Sequence, residues 1–289
     1  MKFVTYNYNG TEYVGVLTND ETSVIPASEF GLKAGSMLEL IKELDGSYPA
    51  IPTQAKSIAL SDVKLEAPIP EPRQDVICLG LNYRDHVEEA TRADAVFDVQ
   101  RGDAVYFSKR LQRAVAPGGE IDGHFDICDS LDYEVELGVI IGRDAKNVKA
   151  ADAGKYIFGY TIINDVSARN LQTRHKQWYF GKSLDDFTPM GPCILSADEV
   201  GAMPELDIRC YVNGEKRQDS NTRMMIFDIP YIIEELSAGM TLKAGTVIAT
   251  GTPSGVALGM PPEVQKYLES GDVVRCEIDG IGVLENTIA

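Results

Sequence analysis

The sequence predicts a mainly β protein of the α+β class, in which a small N-terminal β domain precedes a larger body. Segments with two-residue apolar alternation occur along the whole chain, and few helical patterns lie between them, which disfavours a regularly alternating α/β fold. A connector at residues 65–73 contains three prolines, and prolines at that density favour an extended backbone. We therefore expect one domain over residues 1–70 and a second over residues 71–289.

The N-terminal domain begins with a predicted β-hairpin. Residues 3–8 and 12–17 alternate between apolar and polar side chains, and Asn9-Gly10 between them is a pair typical of tight hairpin turns. A helical pattern follows at residues 36–44. These elements predict a small unit built on short antiparallel strands.

The larger body contains most of the predicted strands. The predicted strands cover residues 75–80, 132–142, 156–163, 206–212, 246–250, 273–278 and 282–287. The predicted helices cover residues 83–90, 168–172 and 226–236. The glycine-rich stretch at residues 251–255 matches neither the dinucleotide-binding pattern nor the P-loop pattern, so no nucleotide-binding fold is predicted.

Composition and charge restrict the possible partners. The chain of 289 residues has a formal net charge of −17 at pH 7, which disfavours nucleic-acid phosphates and anionic membranes. No run approaches the roughly 20 apolar residues of a membrane helix, and residues 1–15 lack a signal-peptide pattern. The five cysteines are widely spaced, which favours reduced, buried thiols. We expect a cytoplasmic protein that binds neither nucleic acid nor membrane.

Residues 131–142, with the sequence LDYEVELGVIIG, are the most informative stretch of the chain. Side chains alternate between the two faces of a strand, so Asp132, Glu134 and Glu136 should share one face. Burying several carboxylates together is costly unless a cation neutralises them. Hard divalent ions such as Mg²⁺, Mn²⁺ and Ca²⁺ prefer carboxylate oxygen. The stretch therefore predicts either a metal site or a charged outer face.

Asp165 is a candidate third ligand. It ends an apolar strand over residues 158–165, before a polar turn, which is a suitable place for a site residue. The alternative is that its carboxylate caps a helix beginning near Val166.

His86 and Glu89 form a candidate catalytic pair. Residues three apart on a helix share a face, and a carboxylate beside an imidazole orients the ring and raises its basicity. This arrangement suits a general base that activates water. A surface ion pair would give the same spacing.

Lys182 is a candidate cationic group. It follows Trp178, Tyr179 and Phe180 in a stretch rich in glycine and proline, which indicates a partly covered position. A sheltered lysine can bind a substrate carboxylate or stabilise an enolate. It could equally pair with the nearby acids at positions 185 and 186.

Taken together and in this order, these stretches resemble the fumarylacetoacetate hydrolase family. The resemblance covers the chain from about residue 70 to the C-terminus. The matching pieces are residues 80–89 (GLNYRDHVEE), 132–137 (DYEVEL), 164–169 (NDVSAR), 181–187 (GKSLDDF), 218–228, and 250–256 (TGTPSGV). Each piece is modestly specific, whereas six in one order are highly specific.

The resemblance implies a fold, a metal and site residues. The implied fold is the family's mixed β-sandwich roll with a small N-terminal β domain, assembled as a homodimer. The implied metal ion is Mg²⁺ or Mn²⁺, and Asp132 belongs to the motif without being a ligand. The implied metal ligands are Glu134, Glu136 and Asp165, the water-activating dyad is His86 and Glu89, the enolate-stabilising group is Lys182, and the substrate pocket includes Arg169, Gln172 and Thr252.

The resemblance also implies a reaction on a small acidic 2-oxo compound. The leading expectation is metal-dependent hydrolysis of a C–C bond in acylpyruvate- or fumarylpyruvate-type diketo acids, through a pyruvate enolate. The same scaffold also serves oxaloacetate decarboxylation and the isomerisation or decarboxylation of 2-hydroxymuconate-type diacids. A metal- or ligand-binding protein without turnover is a third, more distant alternative.

One region departs from the family pattern. After Phe107 the resemblance leads us to expect a lysine followed closely by prolines. The sequence instead reads SKRLQRAVAP over residues 108–117, followed by GGEIDGH. Because this region often borders the pocket, the identity of the substrate is the least constrained inference.

Overall fold

The computed structural model describes residues 1–85 and 102–289, and within them the chain is mainly β, as predicted. The strands are β1 (Lys2–Tyr8), β2 (Thr11–Leu17), β3 (Ser23–Pro26), β4 (Ile58–Ala59), β5 (Lys64–Leu65), β6 (Val76–Gly80), β7 (Val105–Lys109), β8 (Glu120–Ile121), β9 (Leu131–Asp132), β10 (Val135–Ile141), β11 (Ile157–Asn164), β12 (Ser167–Ala168), β13 (Met190–Ser196), β14 (Asp207–Val212), β15 (Glu215–Asn221), β16 (Val247–Ala249), β17 (Val273–Ile278) and β18 (Gly282–Ile288). The α-helices are α1 (Met37–Leu44), α2 (Arg169–Arg174), α3 (Tyr179–Lys182), α4 (Ala197–Val200) and α5 (Ile229–Gly239).

Two sheets form the body of the described protein. The larger one has the strand order β4-β3-β2-β1-β13-β11-β10-β16-β6-β7, with β5 added beside β1. The second has the order β15-β14-β17-β18-β8, and β9 pairs separately with β12. Pairing is antiparallel except between β16 and β6 and between β18 and β8. The predicted N-terminal hairpin therefore extends the sheet of the body, and the division at residue 70 stays a prediction.

The two sheets pack face to face through the centre of the larger one. Strands β10, β11 and β13 contact β14, β17 and β18, and their apolar side chains form one buried cluster. A second buried cluster covers the other face of the large sheet, where Leu40 and Ile41 of α1 join Phe158 and Ile163 of β11. Strands β10 and β11 are buried on both faces, so polar side chains at their ends lie inside the protein.

Helix boundaries follow local signals that were only partly recognised from sequence. Ser36 caps α1, as expected for a helix starting there. The helix predicted at residues 226–236 is α5, which begins later because Asp228 caps it and Pro230 occupies its first turn. Most of the helix predicted at residues 83–90 lies outside the described residues.

No described helix is long and apolar enough to cross a membrane. The five cysteines are buried and free, as predicted.

The single strand predicted at residues 132–142 is wrong at its start. Asp132 belongs to β9, which pairs with β12, whereas β10 begins at Val135 and pairs with β11. The interruption has a local cause, because the carboxylate of Asp132 accepts a hydrogen bond from the N–H of Tyr133 and competes with regular strand pairing. Glu134 lies between β9 and β10, so the three acids do not line one continuous strand, although Arg169 Nη2 contacts both Asp132 and Glu134.

Candidate metal centre and active site

Three predicted ligands meet where β10 begins and β11 ends. Val135 of β10 pairs with Asn164 of β11. Glu134 and Glu136 are the chain neighbours of Val135, and Asp165 follows Asn164, so the pairing brings the three acids together. One carboxylate oxygen from each acid lies within 4.8 Å of the others, and all three side chains are buried. The alternative role of Asp165 is not observed, since α2 begins at Arg169 without a side-chain cap.

Lys182 is bound to this cluster. Its Nζ donates to Glu134 Oε2 at 2.8 Å and to Asp165 Oδ2 at 2.9 Å, and only 2% of its side chain is exposed. Burial alone would lower the pKa of Lys182, but the charges of Asp165 and Glu134 outweigh it and raise the pKa above its ordinary value. The ammonium is therefore charged, and it pairs with these acids rather than with those at positions 185 and 186.

Lys109 is a second buried lysine, which the sequence analysis did not assign. Its Nζ lies 2.7 Å from Asp165 Oδ1 and donates to the carbonyl oxygens of Val166 and Lys182. Burial lowers its pKa below the ordinary value, and the opposite charge of Asp165 only partly counteracts this. The signal was present in the sequence, because Lys109 is the lysine expected after Phe107. The missing prolines obscured it.

Within the described part of the chain, Glu136 is the acid of this cluster that has no cationic partner. Its Oε2 accepts a hydrogen bond from the N–H of Gly251 at 2.8 Å, and no ion pair joins it to the lysines or arginines in the described part of the chain. Burial, together with the charges of Asp165 and Glu134, raises the pKa of Glu136 well above its ordinary value. A cation beside Glu136 would remove this penalty.

The charge balance and the donor atoms fit a divalent ion. Among the described residues, four buried carboxylates, those of Asp132, Glu134, Glu136 and Asp165, face the three buried cations Lys109, Arg169 and Lys182. When all are ionised, one negative charge is left without a partner, and a cation would neutralise it. Oxygen donors from Glu134, Glu136 and Asp165 are the type that hard divalent ions prefer. These three residues would hold the ion.

Asp132 anchors the neighbouring arginine and a loop. Its Oδ2 accepts from Arg169 Nε at 2.9 Å and from the N–H of Leu258 at 2.9 Å, and its Oδ1 accepts from the N–H of Ala257 at 2.8 Å. Nη2 of the same guanidinium lies 2.9 Å from Asp132 Oδ2 and 2.7 Å from Glu134 Oε1. Asp132 is thus fully engaged in holding other groups, which agrees with its expected exclusion from the ligand set.

The three predicted substrate-pocket residues are buried near the cluster with their polar groups partly engaged. Arg169 Nη1 donates to Gln172 Oε1 at 2.9 Å, so these two side chains form one unit beside Glu134. The Thr252 hydroxyl donates to the Val135 carbonyl at 2.9 Å and accepts from Gln218 Nε2 at 2.8 Å. Because its hydroxyl hydrogen is already donated to the Val135 carbonyl, Thr252 holds its own loop against β10. Contact with substrate stays a prediction for all three.

The predicted dyad cannot be placed, because His86 and Glu89 lie outside the described residues. The chain just before them is firmly held. Asn82 Nδ2 donates to the carbonyl oxygens of Phe227 and Thr250, and its Oδ1 accepts from the N–H of Phe227. The fully buried amide of Asn82 therefore holds the chain just before His86 against Thr250, next to Gly251, which donates to Glu136.

Comparison with known proteins agrees with this geometry. Residues 75–289 match the family model described as fumarylacetoacetate (FAA) hydrolase C-terminal. The chain is 40% identical to the oxaloacetate tautomerase YisK of Bacillus subtilis (strain 168), with 100% of both chains covered.

Solved structures extend the similarity to the fold. A fumarylacetoacetate hydrolase from the psychrophile Exiguobacterium antarcticum is 38% identical, with a TM-score of 0.86 over 100% of this chain and 99% of the other. A maleylpyruvate hydrolase from Sphingobium sp. SYK-6, in complex with manganese(II) and pyruvate, is 28% identical, with a TM-score of 0.77 over 100% and 99%. The chain therefore belongs to the fumarylacetoacetate hydrolase family.

Proposed function

We propose that this protein is a divalent-metal-dependent enzyme that stabilises the enolate of a small 2-oxo diacid, and that it interconverts the keto and enol forms of an oxaloacetate-type substrate. The observation that supports this most directly is the buried cluster of Glu134, Glu136 and Asp165 with a charged lysine fixed against two of its members. The full-length relative named as an oxaloacetate tautomerase supports the choice of substrate.

The charge that develops in enolisation suits this site. When the C3 proton is removed and an enolate forms, negative charge accumulates on the 2-oxo oxygen. The Mg²⁺ or Mn²⁺ that Glu134, Glu136 and Asp165 would hold would supply Lewis-acid charge that stabilises it. Lys182 adds a fixed ammonium, which costs no reorganisation because Glu134 and Asp165 already hold it. The ring of Phe107, with its centroid 5.3 Å from Lys182 Nζ, shields that ammonium from water.

Substrate orientation is assigned to the pair of Arg169 and Gln172. The Arg169 guanidinium is held by Asp132 and Glu134, and its Nη1 donates a hydrogen bond to Gln172 Oε1. A cation fixed in this way is suited to a substrate carboxylate, since a charged hydrogen bond from a preorganised guanidinium is strong and directional. In a protein of net charge −17, the ion and these buried cations provide a local positive region for an acidic substrate.

Hydrolysis of acylpyruvate- or fumarylpyruvate-type diketo acids is the second candidate function. It uses the same enolate stabilisation and adds an attacking water, for which His86 and Glu89 are the candidate base and its orienting group. The maleylpyruvate hydrolase relative, solved with manganese(II) and pyruvate, supports this candidate.

Product analysis on the metal-stripped protein separates these functions. Oxaloacetate, acetylpyruvate and fumarylpyruvate are each supplied with Mg²⁺, with Mn²⁺ or with chelator, and enol absorbance and pyruvate are followed separately. We expect metal-dependent loss of the oxaloacetate enol without matching release of pyruvate. Pyruvate from the diketo acids alone would favour the hydrolase, and pyruvate from oxaloacetate would favour a decarboxylase. The absence of metal-dependent turnover on all three would overturn the proposal.

A further inference from the structure

We infer that Gln218 is a positioning residue for Glu134 and Glu136, the predicted metal ligands at the start of β10, an inference that rests on the metal centre of the proposed function. Gln218 lies on β15 at the edge of the second sheet, and its side chain is completely buried. It contacts neither the carboxylates nor Lys182 by any hydrogen bond in the described chain. Its influence would pass through the backbone that separates Glu134 from Glu136.

On the edge that faces β16, the regular pairing of β10 stops before the ligands are reached. Strand β16 pairs with β10 only over Gly138 to Ile140. Beyond that point, the N–H and hydroxyl of Thr250 both donate to the Leu137 carbonyl, so loop and side-chain groups take the place of a strand. Along the edge that faces β16, the N-terminal end of β10, where the predicted ligands lie, therefore depends on side chains for its hydrogen bonds.

Val135 shows this dependence most clearly. Its N–H donates to Gln218 Oε1 at 3.0 Å, and its carbonyl accepts from the Thr252 hydroxyl at 2.9 Å. Val135 is the residue between Glu134 and Glu136, so the position of its peptide groups sets the direction of both carboxylates. Loss of the Gln218 side chain would leave the buried N–H of Val135 without a partner, which favours a shift of the strand.

The other end of the same amide holds the facing loop. Gln218 Nε2 donates to the Thr252 hydroxyl and to the Pro253 carbonyl, both at 2.8 Å. Two residues before Pro253, the N–H of Gly251 donates to Glu136 Oε2 at 2.8 Å. One amide thus fixes the ligand strand and the loop that orients a ligand, and both are held from the second sheet.

Calorimetric binding of Mn²⁺ to the metal-stripped full chain tests this assignment. Gln218→Leu keeps the volume but removes all three hydrogen bonds. Asn286→Leu is the matched control, because Asn286 is also buried and its amide donates to the carbonyls of Ala116 and Gly119, away from the carboxylates. We expect both variants to lose thermal stability, and only Gln218→Leu to bind Mn²⁺ more weakly, by about 10- to 100-fold.

The possible outcomes separate this inference from the metal centre itself. Wild-type protein that binds no Mn²⁺ would overturn the metal centre. If wild type binds Mn²⁺, two results would overturn the assignment of Gln218 alone. One is an unchanged Mn²⁺ affinity in Gln218→Leu, and the other is an equal loss of affinity in Asn286→Leu. If Gln218→Leu does not fold, the same criterion applies to Gln218→Asn, whose shorter amide cannot reach both Val135 and the loop.

Discussion

The ammonium nitrogen of Lys109 lies 2.7 Å from Oδ1 of Asp165, and neither side chain has any exposed surface. The other carboxylate oxygen of Asp165 accepts from Lys182, whose own backbone carbonyl accepts from Lys109. The two lysines and the predicted ligand therefore form a closed arrangement in which each group orients another. Lys109, at the end of β7, connects the edge of the large sheet to the candidate metal centre.

Replacing Lys109 by methionine should destabilise the metal-free protein while increasing its response to metal. Removing one partner from a buried ion pair costs about 3–5 kcal/mol, because the Asp165 carboxylate stays buried with less compensation. A divalent ion supplies part of the missing charge, so the rise in melting temperature on adding Mn²⁺ should be larger in Lys109→Met than in wild type. Differential scanning fluorimetry with and without chelator measures both effects.

Lys243→Met provides the control for this prediction. Lys243 pairs with Asp144, but both side chains are about half exposed, so their interaction is screened by solvent. This variant should melt close to wild type and respond equally to Mn²⁺. A metal response in Lys109→Met no larger than that of the control would contradict the proposed charge balance.

Glu136→Gln should lose metal affinity without losing stability. The substitution keeps the shape and leaves an oxygen to accept from Gly251, while it removes the carboxylate whose pKa is raised by burial and by Asp165 and Glu134. We expect Mn²⁺ binding to weaken at least about tenfold, and the melting temperature in chelator to equal or exceed that of wild type. Unchanged Mn²⁺ affinity in calorimetry would remove Glu136 from the ligand set.

The sequence indicated the acidic cluster because chain order already placed its members at the ends of two buried strands. Alternation within the DYEVEL stretch correctly related Glu134 to Glu136, which are close in sequence and belong to one continuous backbone path. The continuous strand that the alternation predicted is interrupted after Asp132, whose carboxylate accepts a hydrogen bond from the N–H of Tyr133. Periodicity cannot reveal such an interruption when the competing partners, Ala257 and Leu258, are far along the chain.

Residues that act on the site through other groups were harder to predict. Lys109 and Gln218 lie on strands that were not predicted, and their burial depends on the pairing of sheets rather than on local pattern. An isolated lysine or glutamine in a sequence is usually solvated. Only the folded structure brings Gln218 beside Val135 and Lys109 beside Asp165.

Gly255→Ala should be strongly destabilising and should also weaken metal binding. Gly255 has φ +103°, and an added Cβ would collide with the Arg217 carbonyl oxygen, next to Gln218. The loop would have to move away from β15, which would disturb its contacts with the ligand strand. Chemical denaturation and Mn²⁺ calorimetry measure the two effects.

Gly214→Ala is the matched comparison for that steric argument. Gly214 also has a positive φ, +80°, but no atom lies within 4 Å of an added Cβ. Its substitution should cost about 1–2 kcal/mol from backbone strain alone and leave Mn²⁺ affinity unchanged. If the two variants lose equal stability, the steric contact between the Gly255 loop and β15 is not what makes Gly255 necessary, and the steric argument is wrong.

His86→Ala should separate hydrolysis from enolisation. Water attack on a diketo acid requires a base, and removing a general base lowers the rate by about 10²–10⁴-fold. Enolisation of oxaloacetate requires no attacking water, since a proton leaves C3 and one is added to the 2-oxo oxygen. We assign this proton transfer to groups other than His86. The cations that offset the enolate charge, Lys182 and the ion that Glu134, Glu136 and Asp165 would hold, are untouched. We therefore expect His86→Ala to bind Mn²⁺ normally, to keep tautomerase activity and to lose any acylpyruvate hydrolysis. Parallel assays on oxaloacetate and acetylpyruvate measure the ratio of the two activities. If both activities fall together while Mn²⁺ affinity is unchanged, His86 serves a step common to the two reactions, and its restriction to water activation is wrong.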